Sequence, residues 1–355
     1  MATIKFMEWN VEWMNDLFVP GSGPHAVAAF RPDGEQPFHS GSKVTVKMRR
    51  NDLSGAIDEL GPEVVVVCEG PSSRDELQLF FDTDVKGKWQ VHLQPGSSQS
   101  VGIAVRTDTG KFDAPPFTVF DTAKGKPEGK AWEQFFFDTD GDRVQEVYDF
   151  ERRPAYVELA VAGGKKFRVL GLHIKSKGIF EALEFSKYWQ VSEGNRRKIL
   201  AECQRVHDYF VRPYLMNAPT RDIPLIVCGD INDGPGLDEA ERKLFGSGIE
   251  RLIGDVWEPQ YCLRNALFET LTDRQRIELD FGTLATTRFS DPIFNNVTQA
   301  EWIDHVLYSQ NGPTGAGTPW MQNARVVDKL ADGQFITRKY PNASDHRPVM
   351  ADLVL

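Results

Sequence analysis

Residues able to hold a cation or move a proton end or interrupt apolar runs at widely separated points of this chain. Asn10 lies in "EWNVEW", Glu69 in "VVVVCEG" and His173 in "VLGLHIKSK", while Asp230 and Asn232 stand close together in "IVCGDIND". Asp304 is in "WIDHVLYS", and Asp345 and His346 are adjacent in "SDHRPVMADL". Alternate side chains of an extended chain share a face, so Asp230 and Asn232 are expected to point the same way just where a buried strand stops. One such break is ordinary turn chemistry. Its recurrence, in this order, asks for another explanation. Carboxylates and amides are the oxygen ligands a hard cation such as Mg²⁺ takes, and an imidazole beside a carboxylate serves many hydrolases as base and orienter.

These residues need a scaffold that brings strand ends together. "TIKFMEWNV" reads as a first strand. In "KMRRNDLSGAIDELGPEVVVVCEG", Leu53, Ile57 and Leu60 share a helical face, Gly61-Pro62 stops the helix, and Val64 to Val67 form a buried strand. "WQVHL" and "SVGIAVRT" predict a strand pair, and Gly163-Gly164 turns a hairpin between "PAYVELAV" and "KKFRVLGLH". Ile199, Cys203, Val206 and Phe210 mark a long helix with Ser192 as its N-cap. A further helical stretch is expected from Leu237. "EWIDHVLYS" and "HRPVMADLVL" supply the closing strands. Strands dominate and hairpins recur, which predicts a layered α/β domain rather than a strict βαβ repeat. No linker divides the chain, so 1–355 is expected to be one domain with long loop insertions near 14–43 and 108–150. Residues 108–131 in particular read as loop.

The 355 residues are 41 % apolar and 26 % charged, enough for a sizeable core. A net charge of −10 argues against a generally basic nucleic-acid coat protein but not against a phosphate-handling enzyme, since a local cleft and bound cations override the global sign. None of the four cysteines is in a CxxC pair, which points away from zinc and towards a reduced, cytoplasmic setting. No basic-then-apolar leader is visible at the N-terminus, and no apolar run reaches the ~18 residues of a membrane span.

From Asn10 to His346 these motifs resemble the endonuclease/exonuclease/phosphatase superfamily, with "GDIND" and "SDHRPV" the most specific pair and "WNVE" weak by itself. The resemblance implies a four-layer α/β sandwich: two mixed β-sheets packed face to face, flanked by helices, with the site at one end. It implies divalent-metal-dependent hydrolysis of phosphoric esters. By resemblance, Glu69 is the main metal ligand with Asn10 beside it, and Asp345 a ligand or water-mediated contact. The metal is Mg²⁺, with Mn²⁺ or Ca²⁺ as substitutes. His346 matches the general base and Asp304 its orienter. Asn232 matches a donor to a phosphate oxygen, Asp230 a group that positions the attacking water or touches a metal, and His173 a phosphate or leaving-group contact. Arg153, in "RRPAYVEL", matches a phosphate-contacting Arg of the deoxyribonuclease branch. Lys175 and Lys177 are candidates for lining the phosphate path, and His305 is read as structural.

The inositol-phosphatase branch carries a "WxDR" segment where this chain has "WIDH", and "HIKSK" looks more like bacterial nucleases. A nuclease acting as a monomer on nucleic acid or another phosphodiester is therefore the first expectation. A phosphomonoesterase or lipid phosphodiesterase is second, and an inactive binding protein on the same scaffold third. "DTDGD", at 138–142, is read as a turn because its Gly comes too early for an EF-hand. The loop with His25 and His39 is read as a mobile surface segment. Phe180, Phe185, Tyr188 and Trp189 are read as helix packing in preference to base stacking.

Overall fold

The computed structural model describes residues 3–21, 27–41, 43–95, 99–178, 185–235, 244, 246–291, 297–312 and 319–355. Alternation of apolar residues builds two six-stranded sheets. The first contains β1 (Thr3–Asn10), β2 (Val64–Gly70), β3 (Trp89–Gln94), β4 (Ser100–Arg106), β15 (Met321–Val326) and β16 (Val349–Val354), in the order β15-β16-β1-β2-β4-β3. The second contains β5 (Phe112–Val119), β8 (Ala155–Val161), β9 (Lys165–His173), β10 (Leu225–Asp230), β11 (Leu263–Asn265) and β14 (Asp304–Ser309), in the order β11-β14-β10-β9-β8-β5. Two small hairpins stand outside them, β6 (Phe135–Phe137) with β7 (Glu146–Tyr148) and β12 (Thr287–Asp291) with β13 (Val297–Glu301). Each large sheet is mixed. β1 runs parallel to β2 and β9 parallel to β10, while the other pairs are antiparallel.

Residues of both sheets share one core: Ile4, Phe6, Val64 and Val66 from the first meet Val157, Val169, Ile226 and Val306 from the second. The opposite face of the first sheet, with Met7, Trp9, Val65 and Val67, packs on α1 (Val46–Leu60) and α2 (Arg74–Thr83). The opposite face of the second, with Leu170, Leu172 and Val227, packs on α3 (Phe185–Val206). The result is the four-layer α/β sandwich. Fully burying one such Val or Leu contributes ~1.5–3 kcal/mol, so a strand shifted by one residue would lose a whole row of these contacts. α1 ends at Gly61, whose φ of 60° is the left-handed cap that a residue without Cβ adopts at least strain.

Two local expectations change. Residues 108–131 are not all loop, because Phe112–Val119 is a strand. It lies at the sheet's edge, where Pro115 and Pro116 remove no shared ladder bond, and its register on β8 shifts between Phe112 and Phe117. Ser192 is inside α3 rather than at its N-cap, since the helix already runs from Phe185. The stretch expected to turn helical from Leu237 lies outside the described residues up to Leu244.

Candidate metal and phosphoester site

The period of two that sends Ile4 and Phe6 into the inter-sheet core continues to the strand end and there delivers Asn10. The same continuation along the second sheet delivers His173 after Val169, Asp230 after Cys228, and Asp304 two residues before Val306. Register then aligns them: Asp230 is the partner of His173 on one side and of Asp304 on the other. Gly229, at φ 137°, makes this row possible. A Cβ there would lie 1.9 Å from the Leu172 carbonyl oxygen.

Glu69 breaks the alternation. Its backbone is left-handed (φ 55°) and the β2–β4 register slips between Val67 and Gly70. Such a conformation costs about 1–2 kcal/mol in a residue with a Cβ, and it turns the carboxylate towards the other strand ends. Glu69 Oε1 accepts from Asn10 Nδ2 at 3.3 Å, and Oε2 accepts from the Trp13 amide at 2.9 Å and Gln99 Nε2 at 2.7 Å. Asn10 Nδ2 also donates to Asp230 Oδ2 at 2.9 Å. Asn10 thus faces both carboxylates with its amide nitrogen while its oxygen accepts from the Glu12 amide at 2.9 Å. In this arrangement its nitrogen organises Glu69 and Asp230. Asn232 is left-handed too (φ 55°). Its backbone N–H donates to Asp230 Oδ1 at 2.9 Å, and its side-chain amide donates to the Ile174 carbonyl at 3.2 Å.

On the opposite side His346 Nδ1 lies 2.7 Å from Asp304 Oδ2, and its Nε2 is 3.8 Å from Asp345 Oδ1. The His346 backbone is pinned at both ends, its N–H on Ser344 Oγ at 3.0 Å and its carbonyl on the Trp9 indole at 3.0 Å. Ser344 Oγ in turn donates to the Asn10 carbonyl at 2.7 Å. Ligand atoms of Asp230, Asp304 and His346 all fall within 4.8 Å of one another.

This much acid at one point has electrostatic consequences. Burial, and then the charge of Asp304, push Asp230 up to about 7. Burial alone would lower His346, but the Asp304 carboxylate outweighs it and, with Asp230 and Asp345, holds the imidazole well above its usual value. His173 goes the other way: burial, then Arg152 and His346, keep it neutral, with Nδ1 lacking a hydrogen-bond partner. It sits 3.7 Å from Asp230 and 4.0 Å from Glu69. The donor set suits a hard divalent cation. Glu69 and Asp230 present oxygens, and Asp304 Oδ1 is buried without a hydrogen-bond partner.

Not every candidate residue joins this group. Arg153 donates to the Trp132 carbonyl at 2.5 Å, whereas its neighbour Arg152 bonds Gln99 Oε1 and the Ile174 carbonyl, one step from Glu69. The member of the "RR" pair that joins this network is therefore Arg152 and not the expected Arg153, and Gln99 carried no sequence signal at all. Lys175 faces Glu151 at 3.4 Å, and Lys177 faces Asp233 at 3.1 Å. His305 is buried, with Nε2 on the Asp233 carbonyl at 2.8 Å and Nδ1 on the Asn265 amide at 3.1 Å, so it fixes the loop after Asn232. His39 is no loose surface residue: it stacks on Trp13 at 3.7 Å and its Nδ1 is 2.9 Å from Asp16. His25 lies outside the described residues, as does Phe180, and Trp189 is exposed rather than packed. In the 138–142 turn, Asp138 accepts from the Gly141 and Arg143 amides and Asp140 pairs with Arg197.

No family model matches this chain, and no curated protein matches it. Solved structures do. A Bacteroides vulgatus protein described as an endonuclease/exonuclease/phosphatase aligns over 100 % of both chains with a TM-score of 0.51 and 12 % identity. The chain has the endonuclease/exonuclease/phosphatase fold. TDP2 of D. rerio, complexed with a single-strand DNA product, covers 99 % of each chain at 11 % identity and a TM-score of 0.48. The human Nocturnin catalytic domain with bound sulfate aligns over 99 % of this chain and 93 % of its own, with 14 % identity and a TM-score of 0.44. Identities this low establish the fold alone. Among the described residues, no helix of this endonuclease/exonuclease/phosphatase fold is long and apolar enough to cross a membrane.

The clustered carboxylates make a direct prediction. A ligand of the native state stabilises it by about 2.7 kcal/mol at 100 times its Kd, so MgCl₂ added to EDTA-treated protein should raise Tm. Glu69→Gln should remove most of that rise. An equal rise in both proteins, followed by scanning fluorimetry, would take Glu69 out of the cation site.

Proposed function

We propose that this protein hydrolyses phosphodiesters with a divalent cation, Mg²⁺ first and Mn²⁺ or Ca²⁺ as substitutes, and that its substrate is nucleic acid. The observation that carries the reading is the convergence, at one end of the sandwich, of Glu69, Asp230 and the His346–Asp304 pair. A cation held by the oxygens of Glu69, beside Asp230, would offset charge on the phosphate oxygens. Asp345, half-exposed beside His346, would approach it from the other side.

The resemblance gives the base role to His346. A base must first be free of its proton, and Asp304, Asp230 and Asp345 raise the proton affinity of the buried His346 imidazole. Asp230, pushed up to about 7, is better matched to taking a proton from water at that pH. We therefore assign the water's proton to Asp230. His346, oriented by Asp304, faces the charge that develops on the phosphate. The Asn232 N–H not engaged by Ile174 donates to a phosphate oxygen, and neutral His173 lines the same floor.

A diester fits better than a monoester. A phosphomonoester dianion calls for concentrated positive charge, and here Lys175, Lys177 and Arg152 already face Glu151, Asp233 and Gln99. Arg153 and Lys175 would then touch substrate only by leaving their present partners. The test is a panel of plasmid DNA, single-stranded DNA, RNA, sphingomyelin and phosphoinositides, each with Mg²⁺ and with EDTA. EDTA-sensitive cleavage of a nucleic acid is expected. Turnover confined to the lipids would overturn the nuclease reading, and no turnover at all would overturn the hydrolase.

A further inference from the structure

Helix α1 carries a charge that its own fold does not ask for. Arg49 lies in the first turn of this helix and is 1 % exposed. A cation there meets the positive end of the helix dipole, and arginine is almost never fully buried unless paired. The hydrogen bonds of its guanidinium go to neutral oxygens. Nη2 donates to the Val11 carbonyl at 2.9 Å and Nη1 to Ser40 Oγ at 3.1 Å, while Nε is buried without a partner. A group so incompletely bonded is a poor filler for a core, so its charge needs another reason.

That reason lies in the acids around it. Burial lowers the proton affinity of Arg49, and the carboxylates of Glu12, Asp16, Glu69 and Asp345 oppose the effect. The attraction is thus spread over four acids through the low-dielectric interior. These acids also repel one another. Burial, and then Asp345, push the Glu12 carboxyl up to about 6, against the pull of Arg49. Arg49 holds the backbone of this region as well. Val11, whose carbonyl it binds, stands between Asn10 and a turn in which Glu12 and Trp13 are both left-handed, at φ 52° and 49°. Asn10 Nδ2 and the Trp13 amide are two of the donors on the Glu69 carboxylate.

We infer that Arg49 is a resident counter-ion of the acid cluster, a positioning residue that holds Glu12, Asp16, Glu69 and Asp345 together before a divalent cation arrives, a role that presupposes the reading of Glu69 as the cation's ligand. Two positive charges at one cluster compete. Arg49 therefore keeps the metal-free site folded and weakens the hold of the same acids on a metal.

The test is thermal unfolding of the full chain at pH 8, in EDTA and in excess MgCl₂. Arg49→Met, which keeps much of the stem, should lower Tm in EDTA by at least about 5 °C, because it leaves buried acids uncompensated. MgCl₂ should restore part of that loss, so its stabilising shift should exceed that of the unaltered protein by about 2 °C or more. Arg49→Lys, which keeps the charge, should show the ordinary shift. Adding Glu12→Gln should raise Tm in EDTA more in the Arg49→Met background than in the unaltered one, since the two charges are coupled. Equal effects of Glu12→Gln in both backgrounds would overturn the counter-ion. So would, where MgCl₂ stabilises the unaltered protein, an equal shift in Arg49→Met or an enlarged one in Arg49→Lys. If Arg49→Met does not fold in EDTA, recovery of a folded chain on adding Glu12→Gln would support the role and continued failure would overturn it. The Glu12 comparison needs no metal. Coupling without any shift in MgCl₂ would refute the cation site and retain the counter-ion, and an ordinary shift without coupling would do the reverse.

Discussion

Asp230→Asn is expected to lower turnover by about 10²- to 10⁴-fold, the range associated with loss of a general base. It should also abolish the acidic limb of the pH–rate profile. The carboxyl is buried between the sheet ends and is pushed up to about 7, first by burial and then by Asp304. Turnover by the unaltered protein should therefore rise with pH towards neutrality as Asp230 gives up its proton. The limb will lie at or below pH 7, because a bound cation favours the carboxylate. Asn keeps the shape, and its oxygen can still accept from the Asn232 amide, which now bonds Asp230 Oδ1 at 2.9 Å.

Stability separates this loss from misfolding. An Asp with a folded-state pKa above its unfolded value of about 3.9 binds more protons folded than unfolded. Its favourable contribution is complete below pH ~4 and disappears as pH rises to about 7. In metal-free protein at pH 8, Asn at this position should therefore leave Tm equal or higher. A stable variant with near-normal turnover and an intact acidic limb would mean that another group takes the proton.

The parts of the site that follow a period of two are legible in the amino-acid sequence. Asn10, His173, Asp230 and Asp304 each continue an alternation that the apolar residues of their own strand announce, and the mixed-sheet sandwich follows from the same pattern. What alternation cannot show are the places where the backbone leaves it. Glu69 and Asn232 face the site only because both adopt φ 55°, and nothing in the types of their neighbours demands it. Gln99 reaches Glu69 from just before the start of β4, where no alternation announces it, and the choice between Arg152 and Arg153 depends on one residue of register. The edge strand Phe112–Val119 is hidden for the opposite reason. Its prolines argue for loop, and only its place at the end of the sheet makes them harmless. Protonation is the least legible property of all. The motif pairs an imidazole with a carboxylate, but whether that imidazole is neutral depends on three acids from different strands and loops converging on it.

His346→Ala should lower turnover by at least about 10²-fold, as expected for removing a group aimed at developing charge. Asp304→Ala should lose a comparable amount. The double variant should be little worse than His346→Ala, because residues that act as a unit are not additive. The coupling is structural as well as electrostatic. Asp304 Oδ2 lies 2.7 Å from His346 Nδ1 and fixes the ring, and its charge is the strongest influence keeping the buried imidazole protonated. Without that carboxylate, burial pulls the imidazole back towards or below its free value of about 6.5. The Asp304→Ala defect should therefore be larger at pH 8, where His346 is neutral, than at pH 6, where part of it is again imidazolium. If His346 instead removed the proton from water, neutral imidazole would be the active form and the defect would shrink as pH rises. The measurement is kcat for the four proteins on one phosphodiester at saturating Mg²⁺, at both pH values. Multiplicative losses in the double variant would show two independent groups. An Asp304→Ala defect that shrinks at pH 8 would return the base role to His346 and take it from Asp230.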